Sequence, residues 1–576
     1  MGHLNIVQLL IEHNASIDQA NKYGQTALHF ASERGHFAIV QLLIEHHASV
    51  TQPTEDGRTA LLLALKKGHL DIVQLLIEHN TSIDQASEDG WTALHLALEE
   101  GHLNIVQLLI EHNAAVDQAS KYGQTALHFA SERGHFAIVQ LLLEHHASVT
   151  QTTKDGKTAL LLASEKGHLA IVHLLLEHHA SVTQTTEDGK TALLLALEKG
   201  HLDIAWLLIE RNISIDQASK YGQTALHIAS EMGHLNIVQL LIEHNASIDQ
   251  VNKYGQTALH FASEKGHFVI VQLLIKHHAS ITQTMEDGRT ALLLALKKGH
   301  LNIAQLLIEH NTSIDQSSKD GWTALHLALE EGHLNIVQLL IENNAAVNEA
   351  SKYGRTALHF ASAKGHLDIA QLLIEHNAAV DQASTYGWTA LHSASEMGHL
   401  NIVQLLIQHN ASINQASKYG RTALHIASEM GHLNIVQLLI VHNALVDQVC
   451  KDGWTALHFA SVKGHLNIVQ LLIEHNTSIN QASKDGWTAL HLASRKDHLN
   501  VVQLLIKHNA SINQASNDGW TALHLASLNN HLDIARLLIE HNASIDQATK
   551  YGWTALQIAS EKGHLNFAQL LIEHST

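Results

Sequence analysis

"DGWTALHLASRKDHLNVVQLLIKHNASIN", residues 485–513, decides how the whole chain is read. A glycine turn comes first, then Thr488, whose hydroxyl can accept a backbone N–H from the first turn of a helix. Two short apolar segments follow, too short to stand as isolated helices in water. The pattern returns upstream every 33 residues. The "GH" histidine runs from His3 to His564, the turn glycine from Gly24 to Gly552 and the threonine from Thr26 to Thr554, without insertion or deletion. A fixed period of this length marks a solenoid, in which each unit buries its faces against the units before and after it.

Residues 21–53 show the layout of one unit. "NKYG" reads as a hairpin tip and Thr26 as an N-cap. "ALHFASER" is predicted helical, with Ala27, Leu28 and Ala31 on a small apolar edge, and Gly35 ends it. "HFAIVQLLIEHH" is a second helix whose Ile39, Val40, Leu42 and Leu43 form a broad apolar face. The register also explains the composition. Of 33 glycines, 17 close turns and 16 precede the "GH" histidine, where Asp497 and Asn530 take the other two places. Both of those residues tolerate a left-handed backbone. All but one of the 51 histidines fall on the lattice; His173 is the exception.

The unit "DGWTALHLAS…HLNVVQLLIKHNASIN" and its sisters resemble the ankyrin repeat, with its T-P-L-H-x-A and G-H-x-x-I-V-x-x-L-L signatures. The resemblance covers nearly the whole chain. It implies an all-α ankyrin-repeat solenoid, with a tip and two antiparallel helices per unit in a curved array. Residues 1–20 would be a partial repeat and 21–576 an array of about 17. At ~8–10 Å per unit the contour is on the order of 150 Å. It further implies that the "TALH" histidine bonds the capping threonine and nearby backbone.

The chain departs from that pattern in three ways. Alanine replaces proline after every threonine, at small expected cost. The glycine after the second helix is asparagine in 13 units and histidine in four, His47, His146, His179 and His278, where more strain is expected. The unit after each of those four carries Leu62, Leu161, Leu194 or Leu293 in place of the "TALH" histidine. Residues 17–132 return as a close copy at 248–363, seven units later, so the array is expected to have grown by duplicating blocks. The chain starts inside a second helix and stops without a polar cap, and a piece of a longer protein is expected.

Composition narrows the function. Apolar residues make up 45% and aromatics 4% of the 576 residues, so the core is aliphatic. The formal charge of −20 speaks against nucleic acid or an anionic membrane as the main partner. No apolar run reaches the ~18 residues of a membrane span, so no membrane insertion is expected. A single cysteine, Cys450, excludes an intramolecular disulfide and points to a reducing compartment, the cytoplasm or the nucleus. Nothing fixes the oligomeric state, and a monomer is expected.

Bond chemistry finds little footing. His168, His173, His178 and His179 suggest a metal, but three of them are register histidines, and no metal or other cofactor is expected. "GKT" at 156–158 and 189–191 lacks the leading glycine and preceding strand of a phosphate loop. No catalytic residue is assigned, and the chain is read as a non-enzyme. Histidines bonded inside the array would resist protonation, so stability should fall between roughly pH 6 and 4.

A binding role rests on the tips, which vary between units. The resemblance implies that tips and inner helices carry partners, at positions such as Lys484, Asp485, Trp487, Arg495 and Lys496. Seven of the eight tryptophans sit on tips, and the last four, Trp454, Trp487, Trp520 and Trp553, are consecutive. Trp388 lies two units before them; Lys451, Lys484 and Lys550 flank the run. Either each indole covers a neighbouring hairpin, or the aromatic and cationic ladder docks one or more partner proteins. Glu55, Glu88, Glu99 and Glu100 favour a basic partner at the other end. Two functions fit: a protein–protein interaction scaffold, or the targeting or regulatory domain of a larger protein, such as a phosphatase, ubiquitin-ligase subunit, channel, acyltransferase or microbial effector.

Overall fold

The computed structural model describes residues 2–211, 213–310 and 313–574. Among the described residues it holds 35 helices and no strand; the only β pairing is an isolated bridge between Ala548 and Thr554. Contacts divide the chain into two compact units, residues 1–286 and 287–576. The first unit has the helix Leu4–Glu12 followed by eight helix pairs, and the second has nine pairs.

In most pairs the first, inner helix is buried almost all round; the first inner helix, Ala27–Glu33, and the last, Ala555–Lys562, are the more open ones. Ala489, Leu490, His491, Leu492, Ala493 and Ser494 are all buried in the helix Ala489–Arg495. The outer helix Leu499–Lys507 buries only Val501, Val502, Leu505 and Ile506. Within each unit inner helices pack on the next inner helices and outer on outer. Two expectations need correcting. Ala27 is exposed, because no earlier inner helix covers the first one; its counterparts, such as Ala60, are buried. On the outer face Leu42 is only half-buried, and Ile44 fills the core place assigned to it.

The punctuation follows the sequence. Asp497 and Asn530 take φ of 61° and 60° where glycine stands elsewhere. Outer helices end in the left-handed region at asparagine, from Asn80 at 54° to Asn443 at 66°. His47, His146, His179 and His278 fall within the same span, at 62–66°. Asn212 and Asn311, assigned the same role, lie outside the described residues.

Two histidine series stitch neighbouring repeats together. In the "TALH" series the threonine N–H donates to the histidine Nδ1, 3.1 Å at Thr455–His458, which closes the capping box. Nε2–H of the same ring donates forward to the next repeat, 3.0 Å from His458 to the Trp487 carbonyl. The "GH" series reaches backward: Nε2–H of His465 donates to the Glu429 carbonyl at 3.0 Å. Where leucine replaces the "TALH" histidine, Thr59 Oγ1 still accepts the Leu62 N–H at 3.4 Å, but the forward bond is gone.

Candidate docking surface on the hairpin tips

Each tip is a tight turn locked by its own backbone. Around Trp487, the Ser483 N–H donates to the Trp487 carbonyl at 2.8 Å, and the Trp487 N–H donates to Ser483 Oγ at 3.0 Å. Gly486 sits at φ +81°, and a Cβ there would lie 2.5 Å from the Asn517 nitrogen on the next tip, so only glycine fits. One backbone bond ties each tip to its neighbour, as when the Lys484 N–H donates to the Asp452 carbonyl at 3.0 Å. The tip backbone is therefore constant while its side chains vary.

The tryptophans of the sequence ladder are half-buried, and most lie on the capping histidine of their own repeat. Ring centroids are 5.8 Å apart at Trp388–His392, 6.0 Å at Trp454–His458, 5.6 Å at Trp487–His491 and 6.0 Å at Trp520–His524. Trp553 differs: its repeat has Gln557 at the capping position, and the indole is 42% exposed. Lys451, Lys484, Lys550, Arg495 and Lys496 are exposed. The packing reading thus accounts for much of the indole surface, and the cations remain open to a partner. Replacing Trp487 by Gln is expected to loosen the inner helix Ala489–Arg495 by about 2 kcal/mol. Trp553→Gln should change stability by less than about 0.5 kcal/mol. Amide hydrogen exchange of each repeat reads both; equal effects would refute the assignment.

Burial beneath these rings and their neighbours pushes His392, His425, His458 and His491 down to about 4. It lowers His95, His128, His227, His326 and His359 as well. Since Nδ1 accepts a backbone N–H and Nε2–H donates across repeats, these rings sit neutral with the proton on Nε2.

The grooves between tips include places the sequence reading missed. One of about 500 Å³ is lined by Tyr353, Arg355, Ser384, Tyr386, Trp388, Glu396, Tyr419 and Arg421. Of these only Trp388 was singled out. The available signal was the run of tyrosine at three successive tips, which occurs once in the chain. A second groove, of about 290 Å³ between Arg58, Asp89, Trp91 and Glu99, has a twin of about 300 Å³ between Arg289, Asp320, Trp322 and Glu330. The two lie 231 residues apart, so the block duplication copied a surface as well as a fold. Val441, Leu445 and Val449 are exposed apolar residues at positions where most repeats carry Glu, Ser or Ala.

Capped helix pairs, left-handed joints at fixed spacing and variable tips define a helical-repeat scaffold. A family model for ankyrin repeats in three copies matches overlapping segments from residues 1–87 to 511–576, which together span the chain. The chain belongs to the ankyrin-repeat family, whose members are in general protein–protein interaction modules. No curated protein matches it. Among the described residues no helix is long and apolar enough to cross a membrane.

Proposed function

We propose that this chain is a protein–protein interaction scaffold that binds partner proteins on its hairpin tips and inner helices and performs no bond chemistry. One observation carries the reading: exposed side chains that differ from tip to tip stand on tips whose backbones are held by the same bonds throughout. Such a surface is preformed, so binding need not be offset by ordering it. The C-terminal tips are the main docking surface in this reading. Lys451, Lys484, Lys550, Arg495 and Lys496 are exposed and, in sequence, accompany the partly open indoles of Trp454, Trp487, Trp520 and Trp553, with Trp388 two units before them. The scaffold works as a monomer in the cytoplasm or nucleus, a reading supported by its single cysteine, buried Cys450.

Changing those four lysines and Arg495 to Glu tests the surface without removing buried indoles. Circular dichroism should be unchanged, and proteins retained by the intact chain should be lost. Retention of the same proteins by the charge-reversed chain would refute the C-terminal assignment.

A further inference from the structure

The tip position after the turn glycine carries a cation in six repeats: Arg58, Lys157, Lys190, Arg289, Arg355 and Arg421. Five of these have a carboxylate of their own. Lys157 pairs with Glu165 at 2.6 Å and Lys190 with Glu198 at 2.8 Å, each eight residues on. Arg421 pairs with Glu429 at the same spacing. Arg58 turns back to Asp56 at 3.2 Å, and Arg289 to Asp287. Arg355 has neither option. Eight residues on stands Ala363, and two residues back stands Tyr353. Among the described residues it forms no ion pair, and its guanidinium lies 5.6 Å from the centre of the Phe360 ring.

Half-buried Arg355 is also a wall of the 500 Å³ groove, beside Trp388 and the exposed rings of Tyr353, Tyr386 and Tyr419. A cation held against one ring, facing three phenols and an indole, is preorganised for an anion attached to an apolar body. The lining also includes Glu396, which is in no ion pair among the described residues and would repel a second carboxylate.

We propose that this groove binds an extended segment of a partner protein by a single Asp or Glu paired with Arg355, next to an aromatic or aliphatic residue seated on Trp388. An extended chain advances about 3.3 Å per residue and tips repeat about every 8–10 Å. Three tips therefore accommodate roughly seven to nine residues. This deepens the scaffold reading and rests on it, but places a specific site on tips upstream of the tryptophan run.

The test is selection of a displayed library of random twelve-residue peptides on the whole chain and on its Arg355→Glu variant. The intact chain should enrich peptides with one acidic residue beside an apolar one, and Arg355→Glu should enrich a basic residue at that place. A synthetic copy of the leading peptide should bind Arg355→Gln at least tenfold more weakly, while Glu396→Gln should admit peptides with a second carboxylate. Peptides that enrich equally on both chains, yet are lost from the chain with Lys451, Lys484 and Lys550 changed to Glu, would overturn this groove and leave the scaffold reading standing. Failure to enrich any peptide on any chain would count against both.

Discussion

Lowering the pH from 6.5 to 4 should unfold the repeats between about residues 390 and 495 before most of the rest of their unit. His392, His425, His458 and His491 stand in four consecutive repeats, and burial holds each at about 4. The sign follows from linkage. An unfolded histidine takes its proton near 6.5, while the folded ring refuses it until about 4, so acid favours the unfolded chain. The stabilisation is complete above pH 6.5 and drains as pH falls through that window. Each ring contributes on the order of 3 kcal/mol to the loss by pH 4, and four together reach a sizeable fraction of a domain's total stability. Protonation is opposed by geometry as well as burial, because a proton on Nδ1 of His458 would face the donating Thr455 N–H at 3.1 Å. Hydrogen exchange and far-UV circular dichroism across pH 7 to 4 measure this; helix content that stays flat to pH 4 would overturn it. Changing the four histidines to Leu separates this effect from the general charge swing of −20 towards +31. Leucine already occupies the same position at Leu62, Leu161, Leu194 and Leu293, fully buried behind an intact threonine cap. The variant should fold at pH 7 and keep its helicity in this region to lower pH.

The period, the helix pairs and the left-handed joints were legible because each is written in residue type. Asparagine after the outer helix and glycine before "GH" state a backbone conformation directly, and both adopt it. The capping role of the "TALH" histidine was legible from the resemblance, since Thr and His stand three residues apart within one helix turn. Its second bond was not. Nε2–H of His458 reaches a carbonyl 29 residues away, a distance that only the packing of repeat on repeat makes short. The choice between packing and docking at the tips was open in the sequence for a related reason. The polar sequence neighbours of Trp487 left both readings standing, and the ring it covers, His491 of its own repeat and not a neighbouring hairpin, is brought beneath it only by the turn into the helix. Arg355 went unnoticed because its distinction is a missing partner, visible only once Arg421–Glu429 and Lys157–Glu165 show what the position normally does.

Gly167→Ala should destabilise its repeat far more than Gly200→Ala, although both glycines precede a "GH" histidine in adjacent repeats. Both have positive φ, +86° and +78°, so alanine at either costs about 1–2 kcal/mol in backbone strain. Only Gly167 carries a second penalty. A Cβ there would lie 2.5 Å from the His201 ring, whereas at Gly200 nothing stands within 4 Å. The displaced ring would also surrender its bond from Nε2–H to the Glu165 carbonyl, 3.1 Å long, which ties one repeat to the one before. Strain, overpacking and the lost bond together give a loss on the order of 4 kcal/mol at Gly167. Asp497 shows how the chain admits a side chain at this position. Its φ relaxes to 61°, and its carboxylate lies 3.3 Å from Nδ1 of His531, which keeps its own backward bond to Arg495 at 3.2 Å. Gly167→Asp should therefore be milder than Gly167→Ala despite its larger side chain, an order that steric bulk alone would invert. Hydrogen exchange over residues 159–177 for the two Gly167 variants, and over residues 192–210 for Gly200→Ala, ranks the three. Equal losses for Gly167→Ala and Gly200→Ala would mean that the histidine ring is not what bars a side chain there.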